Sequence, residues 1–414
     1  MIKSTLKEGI NLVYLPGDKF KTVYIRMNIY RPMGEEAAKN ALLARVLKAG
    51  CAKYSNKQEL EKQLEYLYGA GMNATVSKVG DLQVISVGLS LPSDRYTGSD
   101  GFCQAAELLR EVVFCPDLKD GAFKSETVDI EKNNLRNLIE AVFNDKKDYA
   151  EQKCIEIMFP GSPFAIYELG NTGDLDAIDG KVLKEHYDNV LNTSRIDIFV
   201  AGDCDVEAIK NVFNDVKSAK VMPENKPENC KREPKTVMES QDVNQGKLMM
   251  GFKTDIDPVS DDYYKLLVFT SVYGSGTHSK LFCNVREKLS LAYYAYARLN
   301  RYKSFISVGS GIEFEKYEQT RDEVLIQLDE IRNGNVTEFE LSSAKKSLVN
   351  AYKSMEDEPA RIISNKTGNA ILGIDVSVDE MIEKVNAVTK EDVVAMASRV
   401  WLDSIYFLKG KDNE

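Results

Sequence analysis

The chain has 414 residues, more than one hydrophobic core usually serves; 43% hydrophobic residues, 29% charged residues and only 11 prolines describe a packed globular protein of two or more domains. With 54 lysines and arginines against 64 aspartates and glutamates the net charge is -10, which disfavours phosphate backbones and anionic lipid, so nucleic-acid and membrane partners fall away. No stretch reaches membrane-spanning length, the N-terminus lacks the apolar core of a signal peptide, and seven scattered cysteines without a C-x-x-C read as free thiols, so a cytoplasmic location is expected.

In chain order, residues 11–15 and 22–30 read as strands, the second alternating apolar and polar positions. A loop around Arg31-Pro32-Met33-Gly34 leads to a helix over 36–49. Ser55 and Gln58 resemble a capping box opening a second helix that runs to Leu67 and stops at Gly69-Ala70-Gly71. Strands at 72–79 and 82–89 are joined by Gly80-Asp81, a turn dipeptide suited to an antiparallel hairpin. Helices are predicted over 102–113, 122–142, from near 148, over 182–190 and over 206–213, with a strand at 195–201.

Residues 216–246 change character. Pro223, Pro227 and Pro234 sit among charges with no hydrophobic period, so this stretch reads as an interdomain linker. Beyond it the order of elements repeats. The strand at 247–253 answers 22–30, and the pair at 292–299 and 305–311 answers the pair around Gly80-Asp81. The segment from Phe339 parallels that from Phe123, and 404–410 parallels 195–202. The fold class expected is α+β, with two duplicated lobes (1–215 and 247–414), each a mainly antiparallel sheet packed with helices and together forming half of a clamshell.

The chemistry-bearing residues are few. There are two histidines, His186 and His278, and they are not at ligand spacing, whereas catalytic zinc takes three protein ligands. His186, within VLKEHYDNV, reads as a helix-packing residue, and His278 as packing of a Gly-rich loop. Gly274-Ser275-Gly276-Thr277 lacks the Gly-Lys-Ser/Thr ending of a phosphate loop. The carboxylates of 126–140 and 313–330 fall at solvated helical spacing. The stretch 274–294 stands out. Leu281, Phe282, Val285 and Leu289 mark one helical face, Arg286 lies near the end of that helix, and Tyr293 follows the turn into a tyrosine-rich strand. Alone, the pair reads as a surface ion pair and a sheet aromatic. A guanidinium and a phenol can also donate to carbonyl oxygens, which holds a peptide and stabilises an oxyanion.

The segment LFCNVREKLSLAYYAYA resembles the C-terminal-half signature of the insulinase-like (pitrilysin, mitochondrial processing peptidase) zinc peptidases. There Leu-Phe precedes Arg-Glu, and Gly-Leu-Ala-Tyr follows; Ser290 stands in place of the glycine. The segments FPGSPFAIYELGNTGDLDAI and VLKEHYDNV…IFVAGD extend the resemblance over essentially the whole chain. Active members carry an inverted motif, His-x-x-Glu-His, on the first helix, with a glutamate ligand on a later one. Aligned on Lys48-Ala49-Gly50, the motif falls on Ala41-Leu42-Leu43-Ala44-Arg45, so Ala41 and Arg45 replace the histidines and Ala44 the general base. The later helix matches through Glu131, but the ligand position seven residues on is Leu138.

The resemblance thus implies a chain that holds no metal. It further implies a heterodimer in which a zinc-bearing homologous subunit supplies the ion, while Arg286 and Tyr293 act in trans on the peptide substrate. A homodimer is expected to be possible when the chain is alone. A peptide-binding or structural scaffold with no peptidase partner is the second reading, and a cysteine-based enzyme the third.

Overall fold

The computed structural model describes residues 2–214, 216, 222–225 and 230–411. Two compact units divide the chain, and neither is continuous. The first comprises Met1–Ala141, Ile166–Asn225 and Asp357–Ile371; the second comprises Val142–Ala165, Lys226–Glu356 and Leu372–Glu414.

The first unit is built on a six-stranded sheet. Its strands are β1 (Ile2–Lys7), β2 (Ile10–Leu15), β3 (Thr22–Pro32), β4 (Gly71–Val79), β5 (Leu82–Pro92) and β6 (Ile196–Ala201), in the order β1-β2-β6-β3-β5-β4. All neighbours are antiparallel except β2 and β6. The helices α1 (Ala37–Ala49), α2 (Lys57–Tyr66), α3 (Gly101–Phe114), α4 (Ser125–Asn144) and α6 (Gly180–Thr193) supply the residues that pack on one face. β3 is buried almost end to end, because its other face is covered too. Val13, Tyr24, Phe199 and Ala201 on that face pack against Ile363 of α10 (Pro359–Leu372). Thr367 of the same helix accepts from Asn28 at 2.8 Å and from Arg26 at 3.0 Å.

The second unit repeats the design with five strands: β7 (Lys235–Gln241), β8 (Gly246–Thr254), β9 (Ala292–Asn300), β10 (Phe305–Ile312) and β11 (Val400–Gly410), ordered β9-β10-β8-β11-β7. Only β7 and β11 run parallel. One face packs on α7 (Asp262–Gly274), α8 (Tyr317–Arg332), α9 (Glu338–Met355) and α11 (Lys390–Ser398). The opposite face carries Met249, Tyr406 and Leu408, covered by Ala150, Cys154 and Met158 of α5 (Lys146–Met158). Contact is close enough that a Cβ on Gly251 of β8 would come within 2.2 Å of the Met158 sulfur, so a larger residue there has to displace the end of that side chain.

Each half of the chain therefore lends one helix, α5 or α10, to the sheet formed mainly by the other half. The continuous lobes 1–215 and 247–414 are corrected accordingly: chain order groups α5 with the first lobe, but its apolar face is buried on the second sheet. The linker also changes. Within 216–246 the described residues include β7, a full partner of β11, and Arg232, whose fork grips the buried Asp403 at 2.8 and 2.9 Å. Part of that stretch (217–221 and 226–229) lies outside the described residues. The capping box shifts by one residue. Asn56, not Ser55, caps α2 by accepting from the Glu59 amide at 3.0 Å, and the Glu59 carboxylate accepts from the Ser55 amide at 3.0 Å. The α+β class with mainly antiparallel sheets stands. Among the described residues no helix is long and apolar enough to cross a membrane.

Candidate functional site

Three backbone irregularities in a row present Arg286 and Tyr293. The predicted helix is present over Leu281–Lys288 but winds as a π-helix, anchored in the core by fully buried Leu281 and Val285. Its bonds span five residues, as from the Leu289 amide to the Asn284 carbonyl at 3.0 Å. Ser290 then adopts the left-handed region at φ 50°, a conformation that costs a non-glycine residue about 1–2 kcal/mol. The glycine of the signature that this segment resembles would adopt this conformation freely, whereas serine is strained there. The Lys316 ammonium donates to the Ser290 carbonyl at 3.2 Å and holds the turn. The third irregularity is a β-bulge. Ala292 faces Ile312 and Tyr294 faces Gly311, so Tyr293 is the extra residue, turned out of the ladder and 59% exposed.

The two side chains line one open surface cavity of about 510 Å³, shared with Glu287, Ser290, Leu291, Ala292, Glu313 and Lys316. Arg286 lies 4.8 Å over the Phe282 ring and 3.5 Å from the Glu287 carboxylate. Neither its guanidinium nor the Tyr293 hydroxyl donates a hydrogen bond to another described residue. Beside its ion pair with Glu287, the Arg286 guanidinium keeps N–H groups that no described residue accepts from, and the Tyr293 hydroxyl lies in the same concavity. Such an arrangement can receive a carbonyl or a carboxylate oxygen.

The positions onto which the resemblance maps the inverted motif lie on α1 and α4. α1 is an alanine- and leucine-rich helix that turns Ala41 and Ala44 into the core, at 2% and 1% exposure. Arg45 reaches the edge of the helix and places its Nε 2.8 Å from the Glu131 carboxylate of α4. Leu138, two turns further along α4, is exposed. Zinc needs lone pairs from imidazole, thiolate or carboxylate, and two methyl groups, a leucine and a paired guanidinium offer none. The residues do not fit the metal. Among the described residues no group of three or more His, Cys, Asp or Glu side chains is placed to hold an ion. What stands beside Glu131 is a fixed organic cation.

His186 packs in the interior, as its helical context suggests. Its Nε2 lies 2.8 Å from Asn40 Oδ1 on α1, and Asn40 donates to Gln83 on β5 at 2.7 Å. Burial lowers its pKa to about 4, against the opposing pull of Glu36. His278 sits 3.4 Å from the Ser271 hydroxyl as a loop-packing group. All seven cysteines are free, and burial raises the thiol pKa of Cys51, Cys103, Cys115, Cys154, Cys204 and Cys283, which favours the unreactive thiol form. Sequence reasoning missed Glu313 and Lys316 as cavity neighbours of Arg286. They are 20 or more residues from Tyr293, and nothing local marks them.

The side chains at the positions matched to the inverted motif offer no zinc ligands, and the fold itself has known counterparts. Residues 177–348 match the family model of the peptidase M16 inactive domain. The chain is 32% identical over 411 residues to the probable inactive metalloprotease YmfF of Bacillus subtilis, covering 98% of this chain and 96% of that one. A conserved protein from Enterococcus faecalis is similar in structure, with TM-score 0.93 at 28% identity, covering 100% of this chain and 99% of that one. A peptidase M16 inactive domain from Pseudomonas fluorescens shares the fold at TM-score 0.82 and 17% identity, with 100% and 99% covered. The chain belongs to the insulinase-like M16 peptidase family and is one of its inactive members.

Proposed function

We propose that this chain is the non-catalytic subunit of a two-subunit zinc peptidase in the cytoplasm. A zinc-bearing homologous partner contributes metal and general base. This chain contributes Arg286 and Tyr293, which donate hydrogen bonds to the carbonyl oxygens of an extended peptide and to the oxyanion that grows as the peptide bond is attacked. The observation that carries the reading is the contrast between the two sites. An exposed tyrosine and an arginine with only a surface ion pair to Glu287 are held on an open cavity by a costly backbone, while the motif positions are filled by core alanines and an ion pair to Glu131.

The test is to co-express the chain with a zinc-bearing homologue from its own source and assay cleavage of unstructured peptides. Arg286→Ala combined with Tyr293→Phe is expected to reduce turnover by roughly 10²-fold or more, the usual cost of one lost oxyanion donor. Unchanged turnover in an active pair overturns the role in trans. If no peptidase partner co-purifies from the native source and the chain alone binds extended peptides, the scaffold reading replaces this one.

A further inference from the structure

The segment carrying Arg286 is held in a backbone register that its apolar pattern does not demand. Leu281 and Val285 are buried in the core and suit an α-helix equally well, and at the start the Cys283 amide still makes an α-type bond to the Ser279 carbonyl at 2.9 Å. From Asn284 onward the bonds lengthen: Leu289 reaches back to Asn284 at 3.0 Å, and the Leu291 amide reaches Val285 at 2.9 Å. Eight residues of π-helix are rare because the α alternative is ordinarily preferred. Something outside the helix backbone has to select against it.

The Asn284 side chain is placed to do so. Its amide donates to the Lys280 carbonyl at 3.1 Å and to Gln327 Oε1 at 2.8 Å. The Lys280 carbonyl is the acceptor that the Asn284 backbone amide would take in an α-helix, so the side chain competes directly with the α register. Gln327, buried on α8, donates in turn to Glu323 at 2.7 Å, and this fixes the acceptor that Asn284 uses. A buried ion pair between Lys280 and Glu340 at 2.9 Å pins the start of the segment, and the Lys316 bond to Ser290 pins its end.

We propose that Asn284 and Gln327 are positioning residues that select the π register and so set where Arg286 stands relative to Tyr293. This rests on the reading of that pair as the peptide-binding donors. In an α register residue 286 is turned about the helix axis relative to Leu281, while Tyr293 stays where the bulge puts it. The two donors then no longer serve one cavity.

The experiment uses the full chain with its zinc-bearing partner and three variants: Asn284→Leu, Gln327→Leu, and the exchange Gln327→Glu with Glu323→Gln. The exchange restores an acceptor at 327 beside an amide at 323 without changing net charge. Crystal structures of the variants report the register, and peptide turnover reports its use. Each leucine variant is expected to bond the Leu289 amide to Val285 instead of Asn284 and to lower turnover about 10- to 100-fold, mainly in kcat, as small misplacements of a catalytic contact do. The exchange is expected to keep both register and turnover. Leucine variants that retain the Asn284 to Leu289 bond overturn the proposal. Variants that change register at full turnover support the assignment of register and overturn the reading of Arg286 as a peptide ligand.

Discussion

At the scale of single residues, charge and burial separate the groups enclosed by packing from those left facing an open cavity. His186 is the clearest of the first kind, an imidazole almost wholly enclosed and bonded to Asn40. Its folded pKa of about 4 lies below the ordinary 6.5, so between those values the unfolded chain binds the extra proton and the folded one does not. Its contribution to stability is complete above pH 6.5 and is lost as pH falls toward 4. Denaturant midpoints measured from pH 7 to 4 are expected to fall by an amount worth roughly 1–3 kcal/mol, and His186→Gln is expected to flatten that slope. A variant with the same slope as the parent chain places the acid sensitivity elsewhere. Arg286 and Tyr293 are the opposite kind, and the difference was not visible in residue type. An arginine beside a glutamate on a helix is ordinarily a solvated ion pair, as Arg286 and Glu287 are here; only the bulge and the left-handed Ser290 bring Arg286 and Tyr293 to one open cavity.

At the scale of elements, most of the fold was legible. Period-2 alternation marked β3, the repeated order of elements marked β8, and Gly80, at φ 60°, turns the β4–β5 hairpin where the dipeptide said it would. Less was legible wherever two outcomes share one pattern. The spacing of Leu281, Val285 and Leu289 fits α and π winding alike, and a one-residue bulge leaves no trace in composition. Likewise the helix expected from near residue 148 gave no sign of which sheet would bury it, and residues 359–372, which form α10, were not read as a helix at all. The α5 docking gives a sharp test. Gly251→Ala forces the Met158 sulfur away from β8 and is expected to destabilise the protein by about 1–3 kcal/mol, read as a lower denaturant midpoint. Combining it with Met158→Ala is expected to recover part of that loss, because the added methyl then enters vacated space. Strict additivity of the two changes counts against the close approach.

At the scale of the whole molecule, an apparent duplication has become an exchange. Repeated order along the chain suggested two self-sufficient lobes, yet each sheet is completed by a helix that arrives from beyond the repeat boundary. Residues 1–225 produced alone are expected to be insoluble or partly folded, because Val13, Tyr24, Phe199 and Ala201 lose Ile363 and the rest of α10. Co-expression with residues 226–414 is expected to rescue them, measured by recovery of a soluble complex. A fragment that folds cooperatively by itself argues against this dependence.

The same exchange fixes an order of events during synthesis. The six strands of the first sheet leave the ribosome by Ala201, but the helix that shields their second face ends only at Leu372. At about 5–20 residues per second that face waits exposed for roughly 10–30 seconds. A translating chain of this design therefore carries an open apolar surface through the making of nearly half its length, and holding chaperones should be found on nascent chains stalled between those two points.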